Sequence, residues 1–308
     1  MLEILYNDYI AAAVNTMGAE LWSLKRREDD REFLWQGDKE IWPRRAPILF
    51  PITGALKEGK IRIAGKDRQI PMHGFARDYE HEVISADAEH LRLCFTGNET
   101  TEEIYPYHYE LEITYQLAGR RLDQTALVRN TGRETMYFSI GFHTGFFCPP
   151  GRTGSASDCV LRFADAENPL CYDKTNDGLI TGTKSPLHAA ENRIPAAGGT
   201  FPDTLILDHP KSSYMELFNT VTHEYVRVHM KAFPYLLVWS NRADVPFVCI
   251  EPWYGLPDLF NADGSIEKKT AILALSPGET FTCTQGIEIS PPGKAEKLRG
   301  ESFAGAVK

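Results

Sequence analysis

The clearest pattern along the chain is a strict alternation of apolar and polar positions from Tyr109 to Leu117. Every odd-numbered position in this segment is apolar or aromatic, whereas the four positions between them hold Glu, Glu, Thr and Gln. Successive side chains of a β-strand point to opposite faces, whereas those of a helix repeat every 3.6 residues. The segment is therefore predicted to be a strand with one buried face.

Ten further short runs are rich in β-branched, aromatic and other apolar residues. These runs are 4–14, 61–63, 91–95, 124–128, 137–140, 225–230, 236–239, 247–250, 271–275 and 280–289. Turn-forming residues separate several of them, as at 118–121, 130–132 and 276–279, which favours antiparallel hairpins. The long amphipathic helices that parallel strands need as crossovers are missing. The pattern predicts an all-β fold, a large antiparallel β-sandwich.

Few other elements are expected. Residues 38–41 and 257–260 are weak candidates for short helices or turns. The segment 165–199 is rich in Asn, Asp, Thr, Gly and Ala, which is typical of a loop-heavy excursion or of irregular hairpins. We interpret it as an insertion within a single domain spanning 1–308, because the strand-like runs on its two sides are alike. The charged tail at about 291–308 is expected to fray.

Composition narrows the class of protein. The chain of 308 residues is 43% hydrophobic and 24% charged, which suits a globular protein with a large core. Its 33 Lys and Arg against 42 Asp and Glu give a net charge of -9 without a basic stripe, so nucleic acid is an unfavourable partner. No signal sequence or membrane-length apolar run is found, which predicts a cytoplasmic protein without a membrane partner. Six scattered cysteines lack a Cys-x-x-Cys pair.

Three segments combine a titratable residue with glycine, proline and aromatic residues. They are residues 71–78 around His73, residues 139–146 around His143 and residues 247–255 around Glu251. Glycine lets the backbone bend and leaves space beside each histidine, and Glu251 ends an apolar run where a carboxylate is unusual. Two histidines and a carboxylate are therefore candidates to meet in one site. From the residues alone, hydrogen-bonded structural histidines and a solvent-reaching glutamate remain alternatives.

The three segments together resemble the aldose 1-epimerase (mutarotase) family, and most of all its LacX-type branch. The likeness rests on His-Gly-Phe-Ala-Arg, Gly-x-His-x-x-Phe and Ile-Glu-Pro-Trp-Tyr-Gly occurring in this order. It extends from Asn15-Thr-Met-Gly-Ala-Glu-Leu to the turn at Pro277-Gly278-Glu279, which is nearly the whole chain. Each motif is weak by itself, whereas the ordered set is specific.

The resemblance implies a galactose-mutarotase-like β-supersandwich with a sugar site on its concave face. It matches His143 to the general acid and Glu251 to the general base, and His73 to a second histidine that contacts the substrate. Asp203 matches a residue that binds sugar hydroxyls, and Arg77 extends the first motif toward the pocket. An aromatic platform for the C–H face of the sugar is expected from Trp253, helped by Trp42. No cofactor is expected.

Two positions depart from the family pattern. Ala55 stands where relatives often carry arginine, so a guanidinium that binds sugar is absent or replaced by Arg44, Arg45 or Arg77. Because of this and the negative net charge, a neutral free aldose is expected rather than a sugar phosphate. Thr144 replaces the usual proline after the catalytic histidine, which changes the segment that aims the imidazole.

Ordinary pKa values would suit the chemistry of anomer exchange, since a carboxylate accepts the first proton and a partly charged histidine donates the second. Three alternatives stay open. The protein could bind or sense sugars without catalysis, or act on a hexose 6-phosphate. A metal-dependent site with His73, His143 and Glu251 as ligands ranks last, because the three residues are far apart in sequence.

Overall fold

The computed structural model describes residues 1–187, 192–197 and 204–292, which form antiparallel sheets. The N-terminal residues form a four-stranded meander in the order β1-β2-β3-β4. Its strands are β1 (Leu2–Tyr6), β2 (Ile10–Asn15), β3 (Glu20–Arg26) and β4 (Arg31–Glu32). The run predicted over 4–14 is thus two strands, because Asn7 turns the chain by accepting backbone hydrogen bonds from Tyr9 and Ile10.

The largest sheet has nine strands in the order β18-β15-β20-β21-β25-β11-β10-β9-β8. In chain order they are β8 (Glu82–Ala86), β9 (His90–Thr96), β10 (Tyr109–Ala118), β11 (Arg121–Asn130), β15 (Cys159–Phe163), β18 (Arg193–Pro195), β20 (Tyr214–Asn219), β21 (Tyr225–His229) and β25 (Thr280–Ile289). The alternating segment is β10, and its odd-numbered side chains from Tyr109 to Leu117 are all buried. This strand prediction is confirmed.

A second large sheet carries the candidate chemistry. Its order is β17-β16-β19-β22-β23-β13-β5, and β14 also pairs with β23. Its strands are β5 (Ile48–Leu49), β13 (Ile140–Phe142), β14 (Thr144–Phe147), β16 (Leu170–Lys174), β17 (Ile180–Pro186), β19 (Thr204–Asp208), β22 (Tyr235–Trp239) and β23 (Phe247–Tyr254). We call it the site sheet.

Smaller elements complete the described chain. The hairpin of β6 (Lys60–Ile63) and β7 (Lys66–Gln69) and the pair of β12 (Met136–Phe138) with β24 (Leu273–Leu275) stand apart from the large sheets. The α-helix α1 (Glu99–Ile104) is capped by Asn98, and 3₁₀ turns occupy Lys57–Gly59, Ala76–Asp78, Pro150–Arg152, Ala156–Asp158 and Ile266–Lys268. Helices in the described ranges are too short to cross a bilayer.

The expectations for the irregular segments have mixed outcomes. Residues 38–41 form a turn, whereas 257–260 are not helical and include a bridge at Leu259. Within 165–199 the chain is not mainly loop, because β16 and β17 form an irregular hairpin at the edge of the site sheet and β18 joins the nine-stranded sheet. The tail from 293 onward lies outside the described residues.

The main core lies between the inner faces of the two large sheets. It joins Leu111 and Ile113 of β10 to Val248 and Ile250 of β23. The opposite face of β23 presents Phe247, Cys249, Glu251 and Trp253, and these side chains are buried as well. Because both faces of β23 are covered, its sequence shows a continuous apolar run rather than an alternation.

Candidate active site

His143 and Glu251 face each other across two neighbouring strands. His143 lies at the break between β13 and β14, and the pairs Gly141–Trp253 and Thr144–Ile250 place it level with Glu251 of β23. Its Nε2 is 3.4 Å from Oε2 of Glu251, and only 9% and 2% of the two side chains are exposed. Sheet register therefore brings together two residues that lie more than a hundred positions apart.

Two glycines make room for indole rings beside this pair. A Cβ on Gly141 would lie 2.5 Å from Cδ1 of Trp253, and one on Gly145 would lie 2.7 Å from Cζ3 of Trp42. Trp42 stacks on the His143 ring with a centroid distance of 5.0 Å and an interplanar angle of 26°. The glycines that flank His143 thus give space to side chains, which explains the Gly-x-His-x-Gly spacing.

His73 approaches from a separate loop in a left-handed backbone conformation, with φ of 68°. The backbone N–H of Gly54 donates a hydrogen bond of 3.1 Å to Nδ1 of His73. Because a backbone N–H can only donate, Nδ1 is an acceptor and the ring proton sits on Nε2. The His73 ring lies 5.3 Å from that of His143 and 5.4 Å from that of Trp253, centroid to centroid.

These residues line one cavity of about 640 Å³, which is large enough for a monosaccharide. Five residues selected from sequence reach it, namely His73, Arg77, His143, Glu251 and Trp253. The sixth, Asp203, lies outside the described residues, although its neighbour Thr204 lines the cavity. Ala55 also lines the wall, so the position where the resemblance implied an arginine presents a methyl group to the cavity.

Three cations border the cavity: Arg44, Arg77 and Lys174. Nη2 of Arg77 donates to the Met72 carbonyl at 2.7 Å, and its Nε has no hydrogen-bond partner among the described residues. Arg44 is paired with Asp78 at 2.6 Å. Glu251 is the only carboxylate among the lining residues of the described chain.

The cavity shifts the titration of its three central groups. Burial, together with the positive charge of Arg77, lowers the pKa of His143 to about 3. Burial and the neighbouring His143 lower the pKa of His73 well below its usual value. Burial raises the pKa of Glu251 well above the usual range. The expectation of ordinary pKa values is therefore wrong, because loss of water disfavours both charged forms.

Among the described residues, three buried polar atoms of neighbouring side chains in the cavity wall lack a hydrogen-bond partner. They are Nδ1 of His143, Oε2 of Glu251 and Nε1 of Trp253. Buried polar atoms are rarely left unpaired, since each unmade bond costs about 1–3 kcal/mol. Unpaired polar atoms in the wall of a cavity favour a polar ligand there.

Potential metal ligands also approach one another at this place. Among the described residues, His143, Cys249 and Glu251 bring one ligand atom each within 4.8 Å of the others. Cys249 rather than His73 is the third member of this group. Burial raises the pKa of the Cys249 thiol well above its usual value, which disfavours the thiolate that metals bind. The donor set therefore fits a metal poorly.

Sequence reasoning missed part of the wall. The cavity is also lined by Leu237 and Trp239 of β22, by Lys174 at the end of β16, and by Thr175 and Asn176 in the turn that follows. The last three fall within the segment interpreted as an insertion. They carry no local motif, and they reach the site only because the β16–β17 hairpin extends the site sheet.

Comparisons with known proteins agree with this architecture. A family model described as aldose 1-epimerase matches residues 2–273. The chromosomal protein LacX of Lactococcus lactis subsp. lactis is 30% identical over 296 residues, covering 92% of this chain and 98% of LacX. The crystal structure of a galactose mutarotase-related enzyme from Lactobacillus acidophilus matches with a TM-score of 0.91 at 28% identity, covering 96% of this chain and 99% of that one.

A galactose mutarotase-like protein from Lactobacillus casei ATCC 334 matches with a TM-score of 0.86 at 28% identity. The alignment covers 94% of this chain and 100% of that one. The expected fold, an antiparallel all-β structure of the galactose-mutarotase-like type, is confirmed.

Proposed function

Because the chain belongs to the aldose 1-epimerase family, we propose that it interconverts the α and β anomers of a sugar, with His143 as acid and Glu251 as base. One observation carries the proposal: the imidazole and the carboxyl group face each other at 3.4 Å in a buried cavity of monosaccharide size. A module that only binds sugar has no need of such a pair.

Anomer exchange needs one proton acceptor and one proton donor. The base removes the proton of the anomeric hydroxyl while the acid protonates the ring oxygen, so the C1–O5 bond breaks and an aldehyde forms. Rotation about C1–C2 turns the other carbonyl face toward the ring oxygen. Reclosure returns both protons, with acid and base in exchanged roles. No atom is gained or lost, and no redox cofactor enters the balance.

The pair holds one mobile proton between its two members. In the protein alone, burial raises the pKa of Glu251 and lowers that of His143, which favours the proton on Glu251 and a neutral His143. Sugar hydroxyls that donate to Glu251 favour its ionised form, and the proton then passes to His143. A proton that can rest on either residue suits a reaction that runs in both directions.

The surrounding residues suit a sugar. Nε2–H of His73 is a fixed donor toward the cavity, because Nδ1 is held by Gly54. Trp42, Trp239 and Trp253 supply aromatic walls for C–H groups. Asp203 stays a candidate for binding hydroxyls, as the resemblance implies.

The decisive experiment follows the equilibration of fresh α-anomers by polarimetry or NMR, with and without protein. We expect acceleration proportional to protein concentration for at least one aldose, and no loss after dialysis against a chelator. Saturable sugar binding without acceleration would favour a binding protein instead. Activity lost on chelation and restored by one divalent ion would favour the metal-dependent reading.

A second substrate, a hexose 6-phosphate, is supported by the cations that border the cavity. Arg44, Arg77 and Lys174 outnumber Glu251, the one carboxyl group among the described lining residues, and burial raises the pKa of that group well above its usual value. Arginine binds phosphate well. This observation weighs against the free aldose expected from Ala55, so both substrates belong in the assay.

Substitution of Arg77 separates the two substrates. If phosphate is bound, Arg77→Gln should raise the KM for glucose 6-phosphate about tenfold or more and change that for glucose little. Equal changes for both sugars would mean that Arg77 supports the wall rather than a phosphate. Arg242→Gln, at an exposed pair with Asp244 that does not line the cavity, is the control.

A further inference from the structure

A chain of buried polar side chains runs from the segment that carries His143 into the interior between the sheets. Thr144 points away from the cavity, and its Oγ1 accepts a hydrogen bond of 3.1 Å from Nε2 of Gln285. The same Nε2 donates to Oε1 of Gln124 at 2.8 Å, and Nε2 of Gln124 donates to the Tyr115 hydroxyl at 2.6 Å. All four side chains are at most 1% exposed.

The Tyr115 end fixes the direction of every hydrogen bond in this series of side chains. The Tyr115 hydroxyl donates to the carbonyl of Ala19 at 2.6 Å, and a carbonyl can only accept. Tyr115 must therefore accept from Gln124, which fixes the orientation of both glutamine amides. The two N–H groups of the Gln285 amide are both used, one toward Gln124 and one toward Thr144.

From the Tyr115 end of this series of side chains, hydrogen bonds to the backbone lead back to the His143 segment. Glu20, which follows Ala19, accepts hydrogen bonds of 2.9 Å from the backbone N–H groups of Arg45 and Ala46. The carbonyl of Arg45 accepts from Gly145 at 2.8 Å, and that of Pro47 accepts from His143 at 3.1 Å. The polar chain and this short segment thus close a ring around residues 143–145.

We propose that Thr144, Gln285, Gln124 and Tyr115 are positioning residues that hold the His143 segment level with Glu251. The inference rests on the proposed function and extends it to residues that do not line the cavity. Apolar packing between the sheets resists separation but has no direction, whereas a hydrogen-bonded ring fixes the register of the segment. Thr144 supplies the hydroxyl that a proline at this position would lack.

The test replaces the hydroxyl with a methyl group of the same shape. Thr144→Val should lower kcat about tenfold with little change in KM, because a displaced imidazole slows proton transfer more than sugar binding. Thr144→Ser keeps the hydroxyl and should retain a kcat within about twofold of native. Thr284→Val is the matched control. Thr284 forms a hydrogen bond of 2.8 Å with Thr125 on the exposed face of β11 and β25, the two strands that carry Gln124 and Gln285. The control variant should leave kcat unchanged.

A second variant covers the case in which Thr144→Val does not fold. Gln285→Met breaks the same bond from the other partner and should cause a similar loss of kcat. The double variant, where it folds, should be little worse than the poorer single one, because Gln285→Met already removes the bond that Thr144→Val removes. Native kcat in folded Thr144→Val and Gln285→Met would overturn the proposal, as would equal losses in Thr144→Val and Thr284→Val.

A readout that does not require turnover separates this inference from the proposed function. The imidazole ¹⁵N signals of His143, assigned with His143→Asn, should shift in Thr144→Val and return to native positions in Thr144→Ser. They should stay in place in Thr284→Val. If the native protein equilibrates no sugar but these shifts appear, the proposed function fails and the positioning role stands. Unchanged signals in Thr144→Val overturn the positioning role.

Discussion

At the scale of single residues, burial rather than residue type sets the charges in the site. A histidine in water titrates near neutral pH, yet the pKa of His143 falls to about 3 because the cavity removes its solvent and Arg77 repels its charged form. Glu251 shifts the opposite way for the same reason. Burial therefore disfavours the charged form of both members of the pair.

The first residue-scale prediction concerns this pair. His143→Asn and Glu251→Gln keep similar shapes but remove proton exchange, so each should lower kcat by at least about a hundredfold. The double variant should be little worse than the poorer single one, because the two groups act as a unit. His73→Asn should affect kcat less, since His73 only donates a hydrogen bond. Anomer equilibration by polarimetry provides the measurement.

His81→Gln is the matched control, because His81 is equally buried but does not line the cavity. Its activity per folded molecule should stay native. A folded Glu251→Gln protein that equilibrates anomers at the native rate would remove Glu251 from the role of base.

The second residue-scale prediction concerns stability and pH. Above about pH 4.5 Glu251 ionises in the unfolded chain, whereas the folded chain keeps its proton because burial raises the pKa. The folded state then binds more protons, so this residue makes stability fall as pH rises from that value toward the folded pKa. Glu251→Gln does not titrate and should therefore gain Tm relative to the native protein at pH 8, by roughly a few degrees.

Thermal unfolding of both proteins at pH 5 and pH 8 measures this effect. The difference in Tm should be clearly smaller at pH 5, where less of the unfolded carboxyl is ionised. His143 and Cys249 are present in both proteins, which limits their contribution to the difference. A difference in Tm between the two proteins that does not depend on pH would mean that the carboxyl group of Glu251 titrates normally in the folded chain.

At the scale of elements, the site depends on how strands lie beside one another. β23 supplies Glu251 and Trp253 at alternate positions. His143 lies between the end of β13 and the start of β14, with one glycine in each of these strands. Trp42 fills the space over Gly145 and joins His143, Trp239 and Phe247 in one aromatic cluster. The glycine is thus required by the neighbouring ring and not by its own backbone angles.

This geometry predicts the result of adding one methyl group. Gly145→Ala would place Cβ 2.7 Å from Trp42, so the indole must move off the His143 ring. We expect kcat/KM to fall about tenfold or more, with a change in tryptophan fluorescence. Gly97→Ala is the control, because its Cβ would meet no atom closer than 3.4 Å. Native kinetics in Gly145→Ala would show that the position of Trp42 does not matter.

At the scale of the whole molecule, a buried cation ties the N-terminal sheet to the nine-stranded sheet. Arg26 of β3 is fully buried and lies 2.7 Å from Glu224, which precedes β21. It also donates to the carbonyl of Ser290, just beyond β25, at 3.1 Å. These residues are far apart in sequence, so the contacts of Arg26 form only when the two sheets assemble. The assignment of 1–308 to one domain agrees with such a tie and stays a prediction.

Removal of this cation should be costly to stability but not to chemistry. Arg26→Met leaves the buried Glu224 with Arg31, at 3.0 Å, as its remaining ion-pair partner among the described residues, and should lower the free energy of unfolding by about 3 kcal/mol. Chemical denaturation measures the loss, and kcat per folded molecule should stay native. Asp244→Asn, which breaks the exposed pair with Arg242, should not change stability measurably. Equal stability of Arg26→Met and native protein would mean that packing alone holds the sheets together.

The sequence by itself determined the class of fold and the central residues. Alternation in β10 and turn residues between the runs depend on local chemistry, and they predicted antiparallel sheets correctly. His73, Arg77, His143, Glu251 and Trp253 were found because each belongs to a recognisable motif, and all five line the cavity. The sequence did not reveal Asn98 as the cap of α1, since short helices leave little periodicity.

Only the tertiary structure decided how the pKa values shift, which residues without a motif line the cavity, and which buried side chains bond to the His143 segment. A pKa depends on the water that other segments exclude, so ordinary values for His143 and Glu251 were wrong. Lys174 and Trp239 carry no motif and reach the cavity through strand register. The bond between Thr144 and Gln285 spans 141 positions of sequence. Contacts of this kind follow from the packing of distant strands, and no local pattern records them.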